Sequence, residues 1–185
     1  MKIILINILI ILSICSGCKT AKLTTSASEN YSAPVTETVA NFSEQSTWLL
    51  GYFNPVQLSR QPHSQWYIKG YDEYQFNPEP VNKLTGINKD DLTIKVVLGT
   101  WCPDSRREVP RFMRILDTWG FPVAKVTFIG VDNTKLAPVG EYDELSIERV
   151  PTFIFYKNNI EAGRIIENPL TSLEQDMVNI LSRNE

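Results

Sequence analysis

Leu92-Thr93-Ile94-Lys95-Val96-Val97-Leu98-Gly99-Thr100-Trp101-Cys102-Pro103-Asp104-Ser105-Arg106-Arg107-Glu108-Val109-Pro110 is the stretch on which the fold turns. Leu92 to Leu98 is a β-branched apolar run closed by Gly99, the pattern of a buried strand. Pro103 suits the first turn of a helix, where its missing N–H leaves no bond unmade. Val109, Phe112, Met113 and Leu116 then fall at i, i+3, i+4 and i+7, which predicts a helix with one buried face, ending near Gly120. Pro110 removes one backbone hydrogen bond inside that helix and crowds the preceding turn, so a kink is predicted there. Cys102 stands where the strand hands over to the helix.

Outward toward the C-terminus, Val123 to Val131 reads as a second apolar strand closed by Asp132-Asn133. A polar stretch with a short helix around Tyr142 to Ile147 follows. Thr152–Tyr156 and Ile160–Ile166, split by Asn158-Asn159, carry a hairpin signal, since asparagine tolerates the positive φ such turns require. Leu170, Leu173, Met177, Ile180 and Leu181 predict a C-terminal amphipathic helix. Toward the N-terminus, Trp48, Leu49, Leu50, Tyr52 and Phe53 and then Trp66, Tyr67, Ile68, Tyr71, Tyr74 and Phe76 are interrupted by Pro55, Pro62, Pro78 and Pro80. Short helices and loops with aromatic anchors are expected there.

The first residues concern export. Lys2 precedes an apolar run, Ile3 to Ile14, too short to span a bilayer but suited to a signal segment. Cys15-Ser16-Gly17-Cys18 resembles a bacterial lipobox, with Cys15 where an aliphatic residue usually stands. That resemblance implies acylation of Cys18; an ordinary secretory signal is the alternative. Either way the domain is expected outside the cytoplasm, where disulfides persist. The Ser-, Thr-, Ala- and Glu-rich residues up to about 45 have no apolar period and read as a solvated tether. The expected organisation is a signal segment over 1–17, a lipidated N-terminus and tether over 18–45, an aromatic-rich extension over 46–90 and an α/β core over 91–185.

The 185 residues are 43% hydrophobic and carry a net charge of −3. One core is within reach of that length. The acidic balance leaves no electrostatic footprint for nucleic acid or anionic lipid, so any membrane contact is expected through the lipid alone. No glycine-rich phosphate loop or dinucleotide fingerprint occurs. With one histidine and three cysteines, two of them in the export segment, the chain lacks the ligands of an ordinary zinc site. No cofactor or metal is expected, and the exported part carries one thiol.

The element order, Trp101-Cys102 at the strand-to-helix turn, Val150-Pro151-Thr152 before the hairpin and Gly163 in its second strand together resemble the thioredoxin superfamily over residues 90–183. Arg106-Arg107-Glu108-Val109-Pro110 is similar to the sequence after the motif in exported thioredoxin-like proteins. The resemblance implies a thioredoxin-like α/β fold: a central mixed sheet flanked by helices, here with an N-terminal helical and loop extension. It implies a cis Val150–Pro151 peptide beside Cys102. It also implies Cys102, Ser105 and Pro151 as the catalytic set, with Trp101, Pro103, Asp104, Val150 and Thr152 contacting substrate. Two departures stand out. Ser105 replaces the resolving cysteine, and the acid and lysine that many thioredoxins carry beneath the motif correspond to Val96 and Phe128.

Thiolate, not thiol, attacks a disulfide. The helix N-terminus favours the anion at Cys102, and a hydrogen bond from Ser105 would add to this. Asp104 opposes it unless Arg106 and Arg107 fold back. Such a thiol suits intermolecular mixed disulfides with protein or small-molecule partners, released by an external thiol or reductase. Three readings compete with it: a peptide-binding or chaperone module on the same scaffold, a Cys–His pair with His63, and a one-cysteine peroxidase. The last lacks the Thr-x-x-Cys pattern. Trp101 reads equally as a wall of the substrate groove or a cap on the core.

Overall fold

The computed structural model describes residues 47–184. The expected signal segment, Cys18 and the 18–45 tether lie outside the described residues.

Among the described residues five strands form one mixed sheet in the order β1-β3-β2-β4-β5: β1 Gly51–Phe53, β2 Leu92–Leu98, β3 Val126–Gly130, β4 Thr152–Lys157 and β5 Ile160–Ile166. Only β2 and β3 pair in parallel; β1 on β3, β4 on β2 and β5 on β4 are antiparallel. The helices are α1 Ser64–Glu73, α2 Pro78–Thr85, α3 Pro103–Trp119 and α4 Leu173–Leu181.

β2 is buried along one face and, at its C-terminal end, on the other as well, where its alternate residues enter different clusters. Ile94, Val96 and Leu98 join Phe128, Phe153 and Phe155 under the apolar residues of α2, α3 and α4. Val97 faces the other way, with Ile129 and Ile154, and is closed over by Val131, Tyr142, Leu145 and Val150 of the β3–β4 connection. Cys102 belongs to this second cluster. It therefore lies at the C-terminal end of the central strand, where the helix face meets the loop face.

Residues 47–90 do two things. β1 extends the sheet beyond β3, and its approach depends on Gly130, where an added Cβ would lie 2.0 Å from the Leu49 carbonyl oxygen. α1 packs along α3 at Gly70, where a Cβ would lie 2.7 Å from Cγ of Pro110. Pro110 sits inside α3, which continues as one helix from Pro103 to Trp119. The proline that cannot donate to the Arg106 carbonyl thus gives α1 its docking point.

Several boundaries differ from the periodicity. Leu170 lies outside α4 and is 96% exposed. Ser172 takes the N-cap by accepting from the Gln175 N–H at 3.3 Å, while Asp176 binds the N–H groups of Leu170 and Thr171 and holds them in a turn. β3 begins at Val126, with a 3₁₀ turn over Val123–Lys125. The expected Tyr142–Ile147 helix is a 3₁₀ turn, Asp143–Leu145, stopped by Ser146 at φ 50°. The hairpin turns on Asn158 and Asn159 at φ 52° and 63°, a type I′ pairing.

Candidate functional site

Cys102 is the N-cap of α3 with an extended backbone (φ −77°, ψ 125°), and its carbonyl accepts from the Arg106 N–H at 3.0 Å. Pro103 follows, exposed at the first helical position. The N–H groups of Asp104 and Ser105 have no carbonyl one turn back within the helix, so this end favours negative charge. The Cys102 thiol donates to the Val150 carbonyl oxygen at 3.3 Å. Val150–Pro151 is cis. The two segments that the sequence separates by nearly fifty residues therefore meet at the sulfur. Cys102 keeps 6% exposure.

Ser105 is fully buried and its Oγ accepts from the Gly99 N–H at 3.3 Å. The hydrogen bond expected from Ser105 to sulfur is not among those formed; the bond the hydroxyl makes is one its oxygen accepts from the strand end. Trp101 is half-buried, its indole N–H donates to the Val131 carbonyl at 3.0 Å, and its ring lies 6.3 Å from that of Trp48 at 50°. Leu49 N–H donates to Thr100 Oγ1 at 3.3 Å, so the chain before β1 runs beside the cysteine loop.

Val150 and Thr152 bury their side chains, at 3% and 1% exposure, and Thr152 Oγ1 donates to the Arg149 carbonyl at 2.7 Å. What this segment can offer another chain is backbone. The Pro151 carbonyl already accepts from the Glu167 N–H at 2.7 Å, and Arg149 pairs with the Glu167 carboxylate at 2.7 Å.

The two arginines after the motif act differently. Arg106 Nε donates to the Thr100 carbonyl at 2.7 Å, bracing the loop before Cys102. Arg107 does fold back onto Asp104, Nη2 to Oδ1 at 2.7 Å, and also binds Glu108 Oε1 at 2.6 Å and Asn168 Oδ1. Glu108 is buried at 2% exposure and takes a second arginine, Arg111, at 3.1 Å. The bond to Glu108, above all, holds the Arg107 guanidinium more firmly protonated than usual. Arg149, Glu167, Asn168 and the depth of Glu108 escaped sequence reasoning. Glu167 and Asn168 carry no local signal, since only the return of β5 brings them beside Pro151.

His63 is not the partner of Cys102. It is buried at the start of α1, packs edge-on to Trp66 with centroids 6.0 Å apart, and hydrogen-bonds the Thr47 backbone. Burial pushes its pKa below the ordinary 6.5, against the pull of the Thr47 bond. In the loop face beside the site, burial first and then Asp132 and Asp143 push the Tyr142 phenol up to about 12, so it stays a donor to the Lys135 carbonyl at 2.6 Å. Beneath α3, Val96 and Phe128 are register partners across β2 and β3, both buried. No ionisable pair sits there.

A mixed sheet of this order, with a cysteine-headed helix after the central strand and a cis-proline leading into β4, is a thioredoxin-like fold. No family model matches the chain, and no curated protein matches it. Similar solved structures include a Pseudomonas aeruginosa protein of unknown function, at 13% identity and TM-score 0.43, covering 64% of this chain and 79% of that one. Thioredoxin O2 of Arabidopsis thaliana in its oxidized state is 18% identical at TM-score 0.38, covering 56% and 88%. Fasciola hepatica thioredoxin is 20% identical at TM-score 0.36, covering 58% and 90%.

Proposed function

We propose that this is an exported, lipid-anchored protein that carries out thiol–disulfide exchange through the single thiol of Cys102. The carrying observation is that sulfur, at the head of α3 and 3.3 Å from the carbonyl oxygen that precedes cis Pro151. Its substrates are protein or small-molecule disulfides, and its resolving partner is an outside thiol or reductase.

The Cys102 thiolate attacks one sulfur of a substrate R–S–S–R′. A bond from Cys102 to the R sulfur forms as the S–S bond breaks, and R′–S⁻ leaves. A second thiolate, R″–S⁻, then attacks the R sulfur, forming R–S–S–R″ and returning the electron pair to Cys102. When R″ belongs to the same substrate the outcome is isomerisation. When it belongs to an external dithiol, the second thiol of that reductant displaces R–S⁻ and closes its own disulfide, so the substrate is reduced. Ser105 has no sulfur with which to do this internally. Trp101, Pro103 and Asp104 flank the incoming chain, while Val150-Pro151-Thr152 presents backbone to it. Ionisation of Cys102 removes the donor now held by the Val150 carbonyl and frees that oxygen for a substrate N–H.

Export and anchoring through Cys18 are supported by the Ile3–Ile14 run and Cys15-Ser16-Gly17-Cys18. They put the domain at a bacterial membrane, facing the periplasm or exterior. Among the described residues no helix is long and apolar enough to cross one. The test of the catalytic role is isomerisation of a scrambled disulfide protein by the full chain in a thiol buffer. Cys102→Ala is expected to return it to the uncatalysed rate, and an unchanged rate refutes the proposal. The low exposure of Cys102 favours one rival, a peptide-binding module. Slow reaction of Cys102 with iodoacetamide together with peptide binding that survives Cys102→Ala would select that rival.

A further inference from the structure

We propose that Arg107 is a positioning residue for Cys102: it neutralises Asp104 in the nucleophile's own helical turn and ties that turn to the segment following β5. This inference rests on the thiol-exchange reading of Cys102 and adds a residue to it. One guanidinium binds Asp104 at 2.7 Å, the buried Glu108 at 2.6 Å and the side-chain oxygen of Asn168. Asn168 follows Glu167, whose N–H donates to the Pro151 carbonyl at 2.7 Å. The chain of contacts thus runs from the turn headed by Cys102, through Arg107, to the cis-proline loop that faces the sulfur.

Electrostatics gives the arrangement its direction. An unpaired Asp104 carboxylate would oppose the anion that the helix terminus favours, and Arg107 cancels that charge where it stands. Asp104 is 30% exposed, so solvent screens the pair and the effect is modest. Arg107 keeps 40% exposure and its charge reaches incoming reagents as well. A lysine supplies the charge without the planar fork that serves three acceptors.

The test is alkylation of Cys102 in the full chain at pH 7 and low salt by neutral iodoacetamide and anionic iodoacetate. Arg107→Gln is expected to slow iodoacetamide about three- to tenfold and iodoacetate by a further two- to threefold or so. Adding Asp104→Asn is expected to restore the iodoacetamide rate to within about twofold of the original, and Arg107→Lys to retain the iodoacetate-to-iodoacetamide ratio. Asp104→Asn alone, which removes one of the two carboxylates on Arg107 and leaves the site one charge more positive, is expected to raise that ratio; this arm does not require the glutamine variant to fold. An unchanged rate in Arg107→Gln, slowing that Asp104→Asn does not relieve, or an unaltered ratio in Asp104→Asn overturns the proposal. Disulfide exchange assayed on the same proteins separates the two readings. Alkylation that obeys Arg107 in a protein without exchange activity removes the catalytic reading and leaves the positioning role.

Discussion

Ser105→Cys should convert the site from one that needs an outside thiol into one that resolves its own mixed disulfide. Position 105 lies one helical turn after Cys102 and is fully buried under the Gly99–Cys102 turn. The substitution removes the hydroxyl that accepts from the Gly99 N–H at 3.3 Å. Sulfur is a weak acceptor, so the reduced variant is expected to lose about 1 kcal/mol. Oxidation then closes a four-residue ring with Cys102, and loop-closure entropy for so short a ring is worth about 2 kcal/mol. The oxidised variant should therefore unfold about 1 kcal/mol above the parent and the reduced variant about 1 kcal/mol below it. Urea unfolding of both redox forms, with thiols counted after denaturation, measures each quantity. In the exchange assay, the mixed disulfide trapped on Cys102 should become short-lived, because release no longer waits for a second collision. A variant that retains two free thiols under oxidising conditions would refute the placement of residue 105 beside the nucleophile and, with it, the reading of Cys-Pro-Asp-Ser as a redox turn lacking its resolving sulfur.

Two further outcomes test the frame around the site. Gly130→Ala puts a Cβ 2.0 Å from the Leu49 carbonyl, so the chain before β1 must move, taking with it the Leu49–Thr100 bond and the Trp48–Trp101 contact. About 2 kcal/mol of lost stability and a changed tryptophan emission spectrum are expected, and parent-like values for both would contradict that packing. His63 has its folded-state pKa below the ordinary 6.5, so the unfolded chain takes up the proton first. Its contribution is intact above about pH 6.5 and declines as pH falls from there toward the folded value. Urea midpoints between pH 8 and 5 should fall less in His63→Gln than in the parent, and parallel curves would argue against the buried imidazole.

The parts of the fold that were legible are those where one local signal suffices. Leu92–Leu98 has the bounds its apolar run implies and Ile160–Ile166 those of the hairpin signal, and Asn158-Asn159 turns between β4 and β5 with both φ values positive. The meeting of Cys102 with cis Pro151 came from resemblance, since no spacing rule joins residues so far apart in the chain. β1 was illegible because three residues carry no period and its place is set by how closely Leu49 approaches Gly130. Leu170 misled because it falls at helical spacing, yet Ser172 captures the cap and leaves it 96% exposed. Ser105 misled for a different reason. Its distance from the sulfur in sequence was right, but the bond its hydroxyl makes is one accepted from the strand-end amide of Gly99 rather than one donated to sulfur.

Val96 and Phe128 complete the physical picture of the site. They are cross-strand partners beneath α3, buried and apolar, at the positions where the thioredoxin resemblance implies an acid and a lysine serving proton transfer to a second cysteine. With Ser105 in place of that cysteine there is no second sulfur to deprotonate, and a buried ionisable pair would carry a desolvation penalty without a reaction to serve. The charged groups lie instead on the rim: Asp104 and Arg107 at the surface, beside the neutral amide of Asn168, with Glu108 held below them by two arginines. Charges on the rim act more weakly on the sulfur than charges buried beneath it would, because water screens them, yet they are open to a partner that brings its own charge. Under the proposed function, a site arranged in this way would respond to what docks beside it, as a nucleophile whose second thiol comes from another molecule requires.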